Sequence, residues 1–376
     1  MKPKLEYINS QLKNIRKNNL YRKMYDSKIT GPYITINSKT LINLCSNDYL
    51  GITQPKISNK QNQSSSRLVA GNDNSFRILE EKLAKHKSQE RSLIFPTGYM
   101  ANLGVISSLV GKNDLVLSDK LNHASLIEAC KLCNAKLSIF KHNNMSDLIH
   151  KIKTKARRKF IITEGIFSMD GDFSNLNAVS EISEKNNAII ILDDAHGDFV
   201  VGNDGKGTAN YFGVSKKIDV YISSLSKGLG SFGGYVSARK SIIELCINKS
   251  KSFIYTSALP RLLIDDATKR FESNREKNRK KLWKNVKKFS TGLKKIGFIV
   301  NSNSHILPII IGKEKTAIEF GEYLFKNGIF AQPIRYPTVS RNHARIRISI
   351  TARLTDDHIT KSLSVLESAK RKFHLI

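Results

Sequence analysis

Short apolar runs alternate with helical patterns between residues 71 and 234, which predicts an α/β protein built on a mainly parallel, seven-stranded sheet. The runs are β-branched and nearly continuous in apolar character, as expected of strands covered on both faces. Beyond a long charged helix near residues 265–296, two more strands and two more helices follow. They predict a smaller α+β domain at the C-terminus. A chain of 376 residues is long enough for such a pair of domains.

Taken in order, residues 1–50 mix a basic helix with short strands and form an N-terminal segment. Residues 51–275 make the large domain, with strands expected at 92–95, 115–118, 136–140, 159–164, 188–192, 219–223 and 233–238. Residues 276–376 make the small domain, with strands at 306–311 and 344–350 and helices at 315–327 and 356–370. Neither an internal repeat nor a long low-complexity tract interrupts this order.

Composition narrows the function classes. Hydrophobic residues make up 40% and charged residues 25%, as in ordinary globular proteins. No apolar run approaches the roughly 20 residues of a membrane span. The start, Met1-Lys2-Pro3-Lys4, lacks the apolar core of a secretory leader, and four cysteines are too few for a disulfide framework. A cytoplasmic location follows as the expectation. Cys130 and Cys133 form a C-x-x-C pair, but no second pair or His pair completes a zinc site, so they are expected to be buried helix residues and no metal is assigned.

The net charge of +30 raises the question of nucleic acid. Basic residues are spread along the chain, with crowding at 151–159 and 275–288, and no recognised nucleic-acid-binding motif accompanies them. The run from Arg275 to Lys288 reads as the solvated face of a helix. An anionic substrate is the other partner such a surplus attracts.

Several motifs carry chemistry. Ser223-Ser224-Leu225-Ser226-Lys227-Gly228-Leu229-Gly230 places a lysine in a polar, glycine-rich turn after an apolar strand. Such a lysine can grip a phosphate or form a Schiff base. By itself the octapeptide is equally compatible with one more solvated lysine among 62 basic residues. Asp193-Asp194-Ala195-His196-Gly197 puts carboxylates at the end of a buried strand, where α/β sheets bind ligands, with His196 three residues on. Phe95-Pro96-Thr97-Gly98-Tyr99 passes from strand to helix through a glycine and frees backbone N–H groups for a phosphate. His123 stands just before a helix, and Glu164 to Gly171 sets polar groups after another strand. Arg335, held between Pro333 and Pro337, suits bidentate capture of a carboxylate.

Together with Ser46-Asn47-Asp48-Tyr49-Leu50-Gly51 and Ser66-Arg67-Leu68-Val69-Ala70-Gly71, this order of motifs resembles the α-oxoamine synthases from about residue 40 to 350. These are pyridoxal-phosphate enzymes of the aspartate-aminotransferase fold (fold type I). The resemblance implies that Lys227 carries the cofactor as a Schiff base and then acts as acid and base at the substrate α-carbon. Asp193 would pair with the pyridine nitrogen and His123 would stack on the ring. His196 would bond the phenolic oxygen, and Ser168 would touch the same edge. Gly98, Tyr99 and Ser224 would hold the phosphate, with Thr256 reaching it from the partner of a homodimer. Arg335 would bind the amino-acid carboxylate with Thr338 close by.

The implied reaction is a decarboxylating condensation of L-alanine with pimeloyl-CoA or a pimeloyl carrier protein. The same chemistry on glycine and acetyl-CoA is the alternative. Three departures from the family pattern stand out. Tyr21-Arg22 occupies the place where an arginine near position 21 often meets the acyl substrate, which makes Arg22 the candidate contact. Phe76 replaces a common histidine, and Asp198-Phe199 replaces the usual Thr-Gly.

Overall fold

Successive residues of the central strands face opposite ways, and here both faces are apolar. On the strand Lys159–Glu164, Phe160 and Ile162 enter one buried cluster while Ile161 enters another. Ile191 is divided from Ile190 and Leu192 in the same way, and Val220 and Ile222 from Tyr221. That two-residue period is why the sequence shows unbroken apolar runs rather than alternation.

The computed structural model describes residues 6–53, 55 and 65–375; residues 1–5, on which the leader expectation partly falls, lie outside it. Seven strands form one sheet in the order Arg91–Phe95, Gly234–Ala238, Val220–Ser224, Ala188–Asp193, Lys159–Glu164, Leu115–Asp119, Lys136–Phe140. Gly234–Ala238 runs antiparallel to both neighbours, and the remaining pairs are parallel. The predicted strands are all present, with ends shifted by a residue or so.

The chain divides into two compact units. One comprises residues 47–168 and 172–279 and carries the seven-stranded sheet. The other takes the chain up to Ser46, Met169–Gly171 and residues from Lys280 on. It contains the sheet Ser27–Thr30, Tyr33–Ile36, Lys39–Asn43, Ile329–Phe330 and the three-stranded sheet Ile306–Gly312, Ala344–Ser349, Pro333–Ile334. The sequence pattern sets residues 1–50 apart as a segment of their own. In the structure Lys39–Asn43 pairs in parallel with Ile329–Phe330, and Leu44 N–H donates to Phe330 O at 2.9 Å, so up to Ser46 this segment groups with the C-terminal residues, while residues 47–50 belong with the large sheet.

The charged stretch expected as one helix is two, Arg261–Glu272 and Glu276–Lys295. Asn274 Oδ1 accepts from Glu276 N–H at 3.2 Å, and this local bond starts a new helix where charge pattern alone shows no break. Cys130 and Cys133 lie at the end of the helix Ala124–Leu132, both buried, with burial pushing their thiols up to about 12 and about 11. Among the described residues no helix is long and apolar enough to cross a membrane.

Candidate active site

Parallel strands deliver their polar residues to one edge of the sheet, because each strand ends where its apolar run ends. Glu164 and Asp193 are the last residues of adjacent strands and are direct register partners. Ser224 ends the next strand, and Lys227 follows it on a turn closed by Gly230 N–H to Lys227 O at 3.0 Å. Gly230 adopts φ +68, and a Cβ there would meet Asp48 Oδ1 at 2.6 Å, so the turn requires glycine.

Lys227 is half-buried, and its Nζ lies 2.8 Å from His196 Nε2. On the far side of the imidazole, Tyr49 Oη is 2.6 Å from Nδ1. Asp193 is nearly buried: Oδ1 accepts from Ala195 N–H at 3.0 Å and Oδ2 from Asn102 Nδ2 at 2.7 Å. Asn102 also donates to Ser125 Oγ at 2.9 Å, and Ser125 Oγ lies 2.7 Å from His123 Nδ1. Asp193, Asn102, Ser125 and His123 are thus one hydrogen-bonded string.

Electrostatics tie the string to the lysine. Burial holds the His123 imidazole below its ordinary value, with Asp193 raising it and Lys227 lowering it. Glu164 is pushed well above the carboxylate range, first by burial and then by Asp193. Backbone bonds from His123 and Ser168 to Glu164 oppose that rise, so Glu164 links two of the expected residues. Among the described residues, its Oε1 is buried with no hydrogen-bond partner, as is Asn102 Oδ1.

At the next corner, Thr97 caps the helix Gly98–Leu109, its Oγ1 accepting from Met100 N–H at 3.1 Å. The amides of Gly98 and Tyr99 precede the first helical bond, and no acidic residue stands in the first turn. Gly234 lets the neighbouring strand come close, since a Cβ there would lie 2.4 Å from Gly98 N. Ser224 is equally near: a Cβ on Gly98 would be 3.3 Å from Ser224 Cβ. The Tyr99 side chain points elsewhere, donating to Glu128 Oε2.

Behind the site, the loop that follows Asp193 and carries His196 is fixed by a buried lysine. Lys87 Nζ reaches Asp198 Oδ1 at 2.7 Å and Asp194 Oδ2 at 3.0 Å. Burial alone would lower its pKa, but the two carboxylates carry it above the usual lysine value. Asp198 also takes Ser223 Oγ at 2.8 Å and His86 Nε2 at 3.0 Å, which accounts for the departure at 198. Phe76 is buried too, with the Arg67 guanidinium 4.2 Å over its ring and Arg67 paired to Glu80.

Lys227, Asp193, His196, His123, Ser168, Gly98, Tyr99 and Ser224 therefore share one unit and one sheet edge. Thr256 lines a separate small cavity with Arg67 and Pro96. In the other unit, Arg335 and Arg22 line a groove of about 640 Å³ with Arg16, Tyr21 and Gln332. The Arg335 guanidinium donates to Asn19 O at 2.5 Å and Tyr21 O at 3.4 Å, and Thr338 N–H closes the adjoining turn onto Arg335 O at 3.0 Å. Sequence reasoning does not single out Tyr49, Asn102 or Lys87. The first two lie inside or beside the motifs quoted above, whereas Lys87 has no local signal.

The family model for aminotransferases of class I and II matches residues 39–366. The chain is 38% identical to an 8-amino-7-oxononanoate synthase of Thermoanaerobacter pseudethanolicus, covering 99% of this chain and 98% of the relative. It is 34% identical to 8-amino-7-oxononanoate synthase 1 of Bacillus subtilis over the whole of both chains. Among solved structures, the serine palmitoyltransferase of Sphingomonas wittichii superposes with a TM-score of 0.92 at 26% identity, covering 100% and 99% of the two chains. The 8-amino-7-oxononanoate synthase of Francisella tularensis gives a TM-score of 0.74 at 28% identity, covering 89% and 99%.

Proposed function

The chain belongs to the class I and II aminotransferase family, and from that premise we propose how its residues perform the 8-amino-7-oxononanoate synthase reaction. That reaction, a step of biotin biosynthesis, condenses L-alanine with a pimeloyl thioester and releases CO2 and the free thiol. The enzyme is an acyltransferase, and pyridoxal 5'-phosphate is its cofactor. When bound to Lys227, the cofactor supplies the electron sink that makes the amino-acid α-carbon acidic.

The donor set fits that group on three counts. Asp193 is a nearly buried carboxylate held by neutral donors, suited to keeping a ring N–H protonated. The amides of Gly98 and Tyr99, which precede the first helical bond, suit a phosphate with Ser224 beside them. Two buried oxygens at the same edge, Glu164 Oε1 and Asn102 Oδ1, have no hydrogen-bond partner among the described residues.

We assign the roles accordingly. Lys227 removes and returns the proton at the α-carbon, helped by the acceptor nitrogen of His196 at 2.8 Å. His123, held neutral by burial, packs against the ring. Ser168, whose N–H steadies Glu164, contacts the cofactor edge. Arg335 and Thr338 take the amino-acid carboxylate and Arg22 meets the acyl group, a reading supported by the basic groove that Arg335 and Arg22 line.

We further propose a cytoplasmic homodimer in which Thr256 completes the partner's phosphate site. Its support is the exposed ring beside that residue, Tyr255, which is 81% exposed. The Lys227–His196 contact carries the whole reading.

Purified protein loaded with pyridoxal phosphate should absorb in the visible, and Lys227→Ala should abolish that band. Incubation with alanine and pimeloyl-CoA should yield a product of the mass of 8-amino-7-oxononanoate. Preference for glycine with acetyl-CoA would replace this substrate assignment.

A further inference from the structure

We propose that Tyr49 is a positioning residue that fixes the tautomer of His196 and so turns its unprotonated Nε2 toward Lys227. The inference rests on the reading of Lys227 given above. Tyr49 is fully buried, with its Oη 2.6 Å from His196 Nδ1 and 3.1 Å from Asn47 Oδ1. Beyond the imidazole, Nε2 lies 2.8 Å from Lys227 Nζ.

Donor and acceptor rules give this row of groups one direction. An amide oxygen can only accept, so the single Tyr49 hydroxyl proton goes to Asn47. The Tyr49 oxygen is then an acceptor toward His196, and Nδ1 must carry the imidazole proton. Nε2 is left with its lone pair aimed at Lys227, whose ammonium form can only donate. Each bond agrees with the next, from Lys227 through His196 and Tyr49 to Asn47. Without the hydroxyl, this row holds the Nδ1–H tautomer only through the Lys227 ammonium, and wherever the lysine is not an ammonium the ring is free to turn to Nε2–H.

Tyr49→Phe removes the hydroxyl and keeps the buried ring, so the fold is retained. Histidine 15N spectra of the cofactor-free Lys227→Ala protein, where no ammonium biases the ring, read the tautomer directly, with the His196 signal identified by its loss in His196→Asn. With Tyr49 in place that protein should show the Nδ1–H form, and adding Tyr49→Phe should give a mixture. Pyridoxal-phosphate affinity should fall roughly 5–10-fold in Tyr49→Phe, the worth of one buried hydrogen bond. Added to His196→Asn, the same change should cost nothing further, because its effect passes through the imidazole. A spectrum left unchanged by Tyr49→Phe together with a wild-type cofactor affinity, or an undiminished loss in the His196→Asn background, overturns the proposal while the visible band leaves the lysine assignment intact. Absence of any visible band from the wild type with cofactor overturns both.

Discussion

Phe199 shows how a single residue can break a local rule and be compensated. Its φ is +64°, in the left-handed region that favours glycine, at a position where the resembled family usually has one. A bulky residue there costs about 1–2 kcal/mol of backbone strain. The ring is fully buried and stacks on His86, centroids 5.0 Å apart and planes 10° from parallel. The Arg275 guanidinium lies 5.4 Å from the same ring. His86 in turn bonds Asp198, so the two departures at 198 and 199 form one arrangement with His86. Deleting a buried Phe side chain costs about 3–5 kcal/mol, so packing outweighs strain relief. Phe199→Gly should therefore destabilise the protein by roughly 2–3 kcal/mol in urea unfolding, the packing lost less the strain released. A gain in stability would show instead that strain outweighs packing.

Between elements, His142, just past the strand Lys136–Phe140, ties the end of the strand Leu115–Asp119 to the loop that follows Lys159–Glu164. Its Nδ1 lies 2.9 Å from Asp119, the last residue of its strand, and Nε2 lies 2.8 Å from Asp172. Burial alone would lower its pKa, but the two carboxylates override that and raise it to about 10 from the ordinary 6.5. A histidine raised on folding contributes stability that is fully present below 6.5 and lost as pH rises through 10. The unfolding free energy should drop by about 1–3 kcal/mol over that range, and His142→Gln should lack this component. An equal decline in the variant would assign it to other groups. Such pairings explain what the sequence does and does not disclose. The seven strands were legible because two buried faces leave unbroken apolar runs. Lys227, Asp193 and Ser224 were legible because they stand where those runs stop. Lys87 was not, since a buried lysine looks like any other of the 62 basic residues until Asp194 and Asp198 are seen to converge on it. Nor was the break at Ser273–Asn274, where one side-chain bond decides between one helix and two.

Across the whole molecule the dominant fact is charge, 62 basic against 32 acidic residues. Several buried basic groups are matched by carboxylates: Lys87 by Asp194 and Asp198, Arg67 by Glu80, Arg270 by Asp266, Arg345 by Asp170. Pairing of that kind consumes acidic residues, so the surplus falls on solvated faces such as the helix Glu276–Lys295, whose buried residues are Leu282, Asn285, Val286, Phe289 and Leu293. A positive exterior attracts a polyanionic thioester and is indifferent to zwitterionic alanine. The field is screened by salt, with a Debye length near 20 Å at about 20 mM and roughly 6 Å at about 300 mM. Over that interval kcat/KM for pimeloyl-CoA should fall about tenfold, a modest part of the range electrostatic steering spans. The KM for alanine should stay within about twofold, because a ligand of zero net charge gains little from the field. Steady-state rates with each substrate varied in turn separate the two cases. Equal salt sensitivity for both would mean that ions disturb the enzyme itself, and no sensitivity for the thioester would leave the charge without a part in its capture.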